Sequence, residues 1–499
     1  MIYLDNAATT LQKPPAVPRA ASYAMCHMAT PGRGGHAPAM LAADTAFACR
    51  QAAAELFQVE GPEQVVFTFN ATHALNIAIK SLVKPGDTVL ISGYEHNAVT
   101  RPLHALGADI RVASGPLFES GELMESFRSQ LKGVSCVICN HVSNVFGYIL
   151  PVERMAALCR AGGIPLILDA SQSAGCLPVS LAELGAAFIA MPGHKRLYGP
   201  QGTGLLLCAA QTRPLLEGGT GCASACQEMP DFLPDRLEAG THNIPGVAGL
   251  LEGLRYVKER GTGSILAHER AMTCLAARGL SEIPGVMVYT AADRVRQAGV
   301  LSFQLDGMDC EAVGDALGAR GVAVRAGLHC APLAHQSAGT FETGTIRASF
   351  SSFSTRREVD QFVREVAALR RGAEERPGSP RLGSPGPLLR SFSRCLMIPA
   401  VFVEIEGQLQ TEAVAGHVQV QPGDLLDALK PVDHGVVMGV KLFRHAAQIA
   451  EVPEVALQCV HQFRTAGRAG AQQPAQRLLN VIMPLLIRVA GIDQPQQSK

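Results

Sequence analysis

Met191-Pro192-Gly193-His194-Lys195-Arg196-Leu197-Tyr198-Gly199-Pro200-Gln201-Gly202-Thr203-Gly204 follows directly on the apolar run 186–190. The run reads as a buried strand, and the glycines after it as a tight turn that sets one lysine at the strand's end. A lysine delivered there loses part of its hydration, and desolvation disfavours its charged form. Lys195 is therefore a candidate for the neutral amine that Schiff-base chemistry needs. An ordinary surface lysine at a turn is the alternative, and the rest of the chain decides between them.

Outward from this turn, short apolar runs alternate with longer stretches of helical period up to about residue 370, the pattern of an α/β fold with a mainly parallel sheet. Strands are predicted at 64–68, 88–91, 110–112, 134–139, 166–168, 188–191 and 204–207, with helices such as 73–82, 123–131 and 152–161 between them. Beyond 246 the pattern becomes one long helical stretch to 278, strands at 286–289 and 300–304, a helix at 310–320 and a strand at 323–325. The expectation is a large domain over 15–245 and a smaller α+β domain built from 1–14 and 246–372. Gly-Ser-Pro occurs twice within 373–390, which reads as a linker. The extension 391–499 offers strands at 395–403 and 414–420, weak helices at 442–449 and 477–489, and no assignable function.

The 499 residues are 47% apolar and 17% charged, enough to bury a large core, so disorder throughout is excluded. Lysine plus arginine equals aspartate plus glutamate at 43 each, so no global field attracts nucleic acid or an acidic membrane. Small-molecule chemistry is the remaining expectation. The N-terminus lacks the basic and apolar regions of a secretion signal, and no apolar run is long enough to span a bilayer, so the cytoplasm is the expected location. The 14 cysteines read as reduced and mostly buried. Cys136 and Cys139 have zinc-knuckle spacing, but positions three apart on a strand face opposite ways, and no metal site is expected. Cys222 and Cys226 lie in a Gly-rich loop, and His417, His434, His445 and His461 lack ligand spacing.

Several further segments suit one cofactor. Phe67-Thr68-Phe69-Asn70-Ala71-Thr72-His73-Ala74-Leu75-Asn76 is a strand, a small-residue turn and a helix start, which offers free backbone N–H groups and the positive helix end to a phosphate. It is neither a Walker loop nor a dinucleotide fingerprint. Asp169 closes the run 165–168, at a strand's carboxyl end where open α/β sheets bind ligands. Its carboxylate suits the pyridinium nitrogen of pyridoxal phosphate, and capping a helix near Ser171 is its competing use. Gln172 is placed for the ring hydroxyl oxygen, His96 for the ring face, and Asn144 supplies polar groups after another strand.

These segments resemble the class V aminotransferase group of fold-type I pyridoxal phosphate enzymes, and within it the cysteine desulfurases. The matching stretches, in order, are Tyr3-Leu4-Asp5-Asn6-Ala7-Ala8-Thr9-Thr10, Ala71-Thr72-His73-Ala74-Leu75-Asn76, Glu95-His96-Asn97-Ala98, His141-Val142-Ser143-Asn144, Asp169-Ala170-Ser171-Gln172, Gly193-His194-Lys195, Glu238-Ala239-Gly240-Thr241, Arg325-Ala326-Gly327-Leu328-His329-Cys330-Ala331 and Ile346-Arg347-Ala348-Ser349. The resemblance implies that Lys195 carries the cofactor, Asp169 meets its ring nitrogen, Gln172 its phenolic oxygen and His96 its ring face. It also implies that Ala71, Thr72 and His194 hold the phosphate, with Thr241 reaching in from the second subunit of a homodimer. Arg347 then clamps the substrate carboxylate, assisted by Arg325 and Asn144, with Asn6 and Ala7 also at the substrate. Pro192 departs from the pattern, since many relatives have a hydroxyl there for the phosphate, and His73 stands where a second threonine is common.

Cys330 lies in the compact loop 325–333, where Arg325 and His329 are expected to favour its thiolate. The expected reaction converts L-cysteine, or L-selenocysteine, to L-alanine with a persulfide left on Cys330 for a sulfur-acceptor protein; His96 manages protons. A selenocysteine lyase, an aminotransferase and a non-catalytic sulfur carrier are the alternatives.

Overall fold

The computed structural model describes residues 1–32 and 34–374, with two further strands at Ile398–Val401 and Ala413–Val418. Seven strands form the main sheet: β1 Val65–Thr68, β2 Thr88–Ser92, β3 Asp109–Ala113, β4 Cys136–Asn140, β5 Leu166–Asp169, β6 Phe188–Pro192 and β7 Gly204–Cys208. Their spatial order is β3-β2-β4-β5-β6-β7-β1, and only β7 runs against its neighbours. Every predicted strand of this sheet is present, extended by a residue or two where a polar end such as Asn140 or Asp169 still pairs.

Helices cover both faces, so the strands are apolar on both sides. Val89, Ile91, Cys136 and Ile138 pack into one core, while Leu90, Val137 and Cys139 pack into the other. Cys136 and Cys139 thus point to opposite faces, and no metal-binding cluster of three His, Cys, Asp or Glu occurs among the described residues. The parallel strands β2, β4, β5 and β6 end on one edge, and the site lies there.

A second, antiparallel sheet contains β8 Val286–Tyr289, β9 Val300–Leu305, β10 Arg325–Gly327 and β11 Thr345–Ser349, in the order β10-β11-β9-β8. It has its own core, including Leu4, Phe303, Phe350 and Phe362. The N-terminus joins it through Ile2–Tyr3, which pairs in parallel with Val322–Ala323. Two expectations are corrected. The long helical stretch is two helices, Ile244–Arg260 and Thr262–Ser281, separated at Gly261 with φ 79°, a conformation an L side chain resists. The strand expected at 323–325 divides at Val324, and its halves join different sheets.

Residues 1–382 form one compact unit and 383–499 another. Within the second, Ile398–Val401 and Ala413–Val418 pair antiparallel, overlapping the strands predicted there. The linker and the helices expected at 442–449 and 477–489 lie outside the described residues. No described helix is long and apolar enough to cross a membrane.

The helix Ile244–Arg260 braces the turn beyond Lys195 at very close range. A Cβ at Gly253 would lie 2.1 Å from the Leu197 carbonyl oxygen. Gly253→Ala is expected to destabilise the fold by about 1–3 kcal/mol in denaturant unfolding, since the contact is backbone and cannot yield cheaply. Gly263→Ala, with nothing within 4 Å, is the control that stays neutral or gains stability.

Candidate active site

A cavity at the carboxyl edge of the main sheet is lined by Asn70, Ala71, Thr72, His96, Asn140, Asn144, Asp169, Gln172, Pro192, His194 and Lys195, among others. Each parallel strand delivers its part. β2 leads to His96, β4 to Asn140 and Asn144, β5 ends on Asp169, and β6 runs into the turn of His194 and Lys195. Asp169 pairs with Ala190 in the β5–β6 register, so the carboxylate and the lysine leave neighbouring strands side by side.

The helix Ala71–Leu82 begins at the cavity wall, capped by Asn70, whose Oδ1 accepts the His73 N–H at 2.9 Å. The N–H groups of Ala71 and Thr72 precede any intrahelical partner, which makes this end an anion cradle. Pro192 brings no hydroxyl to the cradle. The Thr9 hydroxyl instead reaches the His194 Nδ1 at 3.1 Å.

Burial dominates the electrostatics. It pushes the Lys195 amine down to about 8, against the pull of Asp169 and with help from the Arg347 and Arg196 charges. His96 falls to about 4, chiefly by burial and then by the charge of Lys195. Its Nδ1 accepts the Ala98 N–H at 3.0 Å, so the neutral ring carries its proton on Nε2. Asp169 is 4% exposed, and Oδ1 accepts the Ser171 N–H at 2.8 Å in a turn that opens no regular helix. The local capping use and the position on the cavity wall thus coexist.

The Arg347 guanidinium is buried, donating to the Asn144 carbonyl at 2.9 Å and to Asp5 Oδ1 at 2.8 Å. Asp5 also accepts both Nε and Nη2 of Arg325 at 3.1 Å. Sequence reasoning passed over Asp5, although it lies between two residues it singled out. Two buried polar atoms here have no partner, Arg347 Nε and Asn144 Oδ1. Asn6 and Ala7 take other work: Asn6 donates to the Ser349 carbonyl at 2.8 Å, and the Ala7 carbonyl accepts Gln172 Nε2 at 2.9 Å.

Cys330 is exposed, and its loop is fastened to the cavity on two sides. Its carbonyl accepts the Asn97 N–H at 2.7 Å, next to His96, and the His329 carbonyl accepts Asn144 Nδ2 at 2.9 Å. The expected help from His329 is absent in charged form, and that from Arg325 is partly compensated by Asp5. His329 is buried, stacked on His335 at 5.6 Å, and held well below its usual value by desolvation. The Arg325 charge is shared with Asp5. Of the other cysteines, Cys26 and Cys226 are exposed and Cys222 and Cys274 half-buried, so the expected burial holds for seven of those described. Thr241 is exposed and lines a separate groove with Phe67, Phe69 and His73, so a single chain does not bring it to the cavity.

Two buried or half-buried groups gave no sequence signal. Lys13 donates to Thr10 Oγ1 at 2.6 Å and to the His194 carbonyl at 2.9 Å, and burial pushes it down to about 8. Glu95, pushed up to about 8 mainly by burial, accepts the Asn140 N–H at 2.8 Å and keeps one oxygen unpaired.

A desolvated lysine, a carboxylate on the adjoining strand and a helix N-terminus together compose the site of a fold-type I pyridoxal phosphate enzyme, and these residues fit that cofactor's aldehyde, ring nitrogen and phosphate. Residues 2–362 match the class V aminotransferase family model, and the chain belongs to that family. It is similar to a probable cysteine desulfurase of Mycolicibacterium paratuberculosis, 36% identical over 389 residues that cover 74% of this chain and 56% of that protein. A probable cysteine desulfurase of Pyrococcus abyssi is 30% identical, with 73% of this chain and 92% of that protein covered. Among solved structures, the apo cysteine desulfurase of Thermococcus onnurineus NA1 aligns with a TM-score of 0.68 at 31% identity, over 74% of this chain and 95% of that one. The chain spans 56% and 62% of the length of the two mycobacterial relatives it matches.

The lowered lysine has a measurable signature. Trapping of a small aldehyde on Lys195 by cyanoborohydride, read by peptide mass spectrometry, is expected to rise about tenfold per pH unit and level off near pH 8. Solvated lysines continue to rise towards about pH 10.4.

Proposed function

We propose that this protein is a pyridoxal phosphate-dependent cysteine desulfurase that converts L-cysteine to L-alanine and leaves the sulfur on Cys330. The observation that carries the reading is the anchoring of the exposed Cys330 loop to Asn97 and Asn144, on two sides of the cavity that holds Lys195. A thiol fixed at the mouth of a lysine–aspartate site is an arrangement that a transaminase does not need.

In this reading Lys195, Asp169, Gln172, Ala71, Thr72 and His194 hold the cofactor, with His96 against its ring. When bound, pyridoxal phosphate supplies an electron sink for the pair released at the substrate α-carbon. Arg347 binds the substrate carboxylate through the N–H groups that the Asn144 carbonyl and Asp5 leave open, the unpaired Nε among them. Asn144 assists by holding Arg347 through its backbone carbonyl. Asn6, Ala7 and Arg325 support this end through their bonds to Ser349, Gln172 and Asp5. The Lys195 Nζ, neutral near pH 8, takes the α-proton. His96, neutral with its proton on Nε2, hydrogen-bonds the reacting end of the substrate, and the carbon that loses sulfur takes up the proton that the substrate thiol gives up. The Cys330 thiolate bonds to the substrate sulfur as the carbon–sulfur bond breaks, which gives a persulfide and alanine.

The exposed Thr241, beside exposed Phe69 and its stacked neighbour His73, supports a homodimer in which Thr241 meets the partner's phosphate. The exposed thiol supports hand-over to an acceptor protein; a cytoplasmic location and L-selenocysteine as a second substrate complete the proposal.

After L-cysteine treatment, mass spectrometry is expected to find one extra sulfur on the Cys330 peptide. Cys330→Ser is expected to retain the visible cofactor band and lose alanine formation; retained amino-group transfer instead marks an aminotransferase. Arg347→Lys, which removes the planar fork, is expected to raise KM for L-cysteine about tenfold or more in steady-state assays.

A further inference from the structure

We infer that Arg196, clamped by Glu269, is a positioning residue that fixes the Gln172 side chain so that its N–H edge faces the phenolic oxygen of the cofactor. The inference rests on the pyridoxal phosphate reading above and concerns residues with no contact to the substrate.

A glutamine amide has a donor end and an acceptor end, and its neighbours decide which faces the cavity. Here both sides decide the same way. Arg196 Nη1 donates to Gln172 Oε1 at 2.7 Å and to the Gln172 carbonyl at 3.1 Å. A guanidinium has no acceptor, so the amide oxygen must face it. Gln172 Nε2 donates one N–H to the Ala7 carbonyl at 2.9 Å. The opposite rotamer would set the NH2 group against a guanidinium and the amide oxygen against a carbonyl. Gln172 lines the cavity, and its remaining N–H is the polar group it offers there.

Glu269 holds Arg196 in turn, with Oε2 accepting Arg196 Nε at 2.8 Å. The pair is 2% and 0% exposed, and it links the helix Thr262–Ser281 to the residue after Lys195. Gly299 leaves the room for it, since a Cβ there would lie 2.4 Å from Glu269 Oε2. Arg196 Nη2 and Glu269 Oε1 remain unpartnered in the interior. A buried ion pair with loose ends is a poor source of stability, so orientation of Gln172 is the better account of it.

A donor at the phenolic oxygen favours its deprotonated form and lowers the pH at which the bound chromophore titrates. The test is the pH titration of the visible band of the holoenzyme, with cofactor content and thermal melting as controls. Arg196→Met with Glu269→Met removes both charges together, and it is expected to raise the midpoint by about one pH unit. Gln172→Ala is expected to give the same rise, and the three substitutions combined no further rise, because one interaction is lost in each case. A folded, cofactor-loaded pair variant with the parental midpoint overturns the inference, as do shifts that add. If the pair variant does not fold, Arg196→Gln with Glu269→Gln decides, since an amide at 196 no longer forces one Gln172 rotamer: a raised midpoint supports the inference, and an unchanged one overturns it. A parental chain that takes up no cofactor overturns the functional reading first, before any variant is compared.

Discussion

Removal of water from one amine at the carboxyl edge of a parallel sheet is the constraint on which the rest of the structure depends. Lys195 loses its solvent because β6 carries it into a turn braced by the helix Ile244–Arg260, and because β5 sets Asp169 beside it. The same dryness acts on the neighbours. His96 and His194 fall to about 4 and Lys13 to about 8, all chiefly through burial. The two histidines are therefore uncharged at neutral pH, and the lysines give up their protons about a pH unit above it. A helix N-terminus and a buried guanidinium with an open Nε then become the features that favour anions.

The guanidinium is itself restrained. Asp5 binds both Arg347 and Arg325, so a chain end brought in by Ile2–Tyr3 tunes a site built by residues more than 300 positions away. One carboxylate between two arginines keeps Arg347 oriented, while the Asn144 carbonyl takes its other nitrogen. On the proposed reading, an incoming carboxylate meets a cation already partly compensated, and it binds through the N–H groups that Asp5 and Asn144 leave open.

What the sequence made legible follows from how local each signal is. Apolar runs marked all seven strands of the main sheet, because strands buried on both faces need no distant partner to be recognised. Lys195 and Asp169 stood out because each ends such a run. The break at Gly261 was hidden by helical period on both sides of it. Asp5, Lys13 and Glu269 were invisible as functional groups, since their partners lie far along the chain and leave no spacing to read. The charge of His329 was misjudged for a related reason. Sequence adjacency to Cys330 says nothing of a ring turned inward against His335, which itself packs on Phe146.

His329 and Cys330 have φ 54° and 55°, two successive side-chain-bearing residues in left-handed geometry. Such a kink is costly for L-residues and persists because the carbonyls of both are gripped from the sheet's edge. A thiol on so short a leash has almost no reach of its own. On the proposed reading, cargo gathered there stays at the doorway, and a recipient has to come to the threshold to collect it.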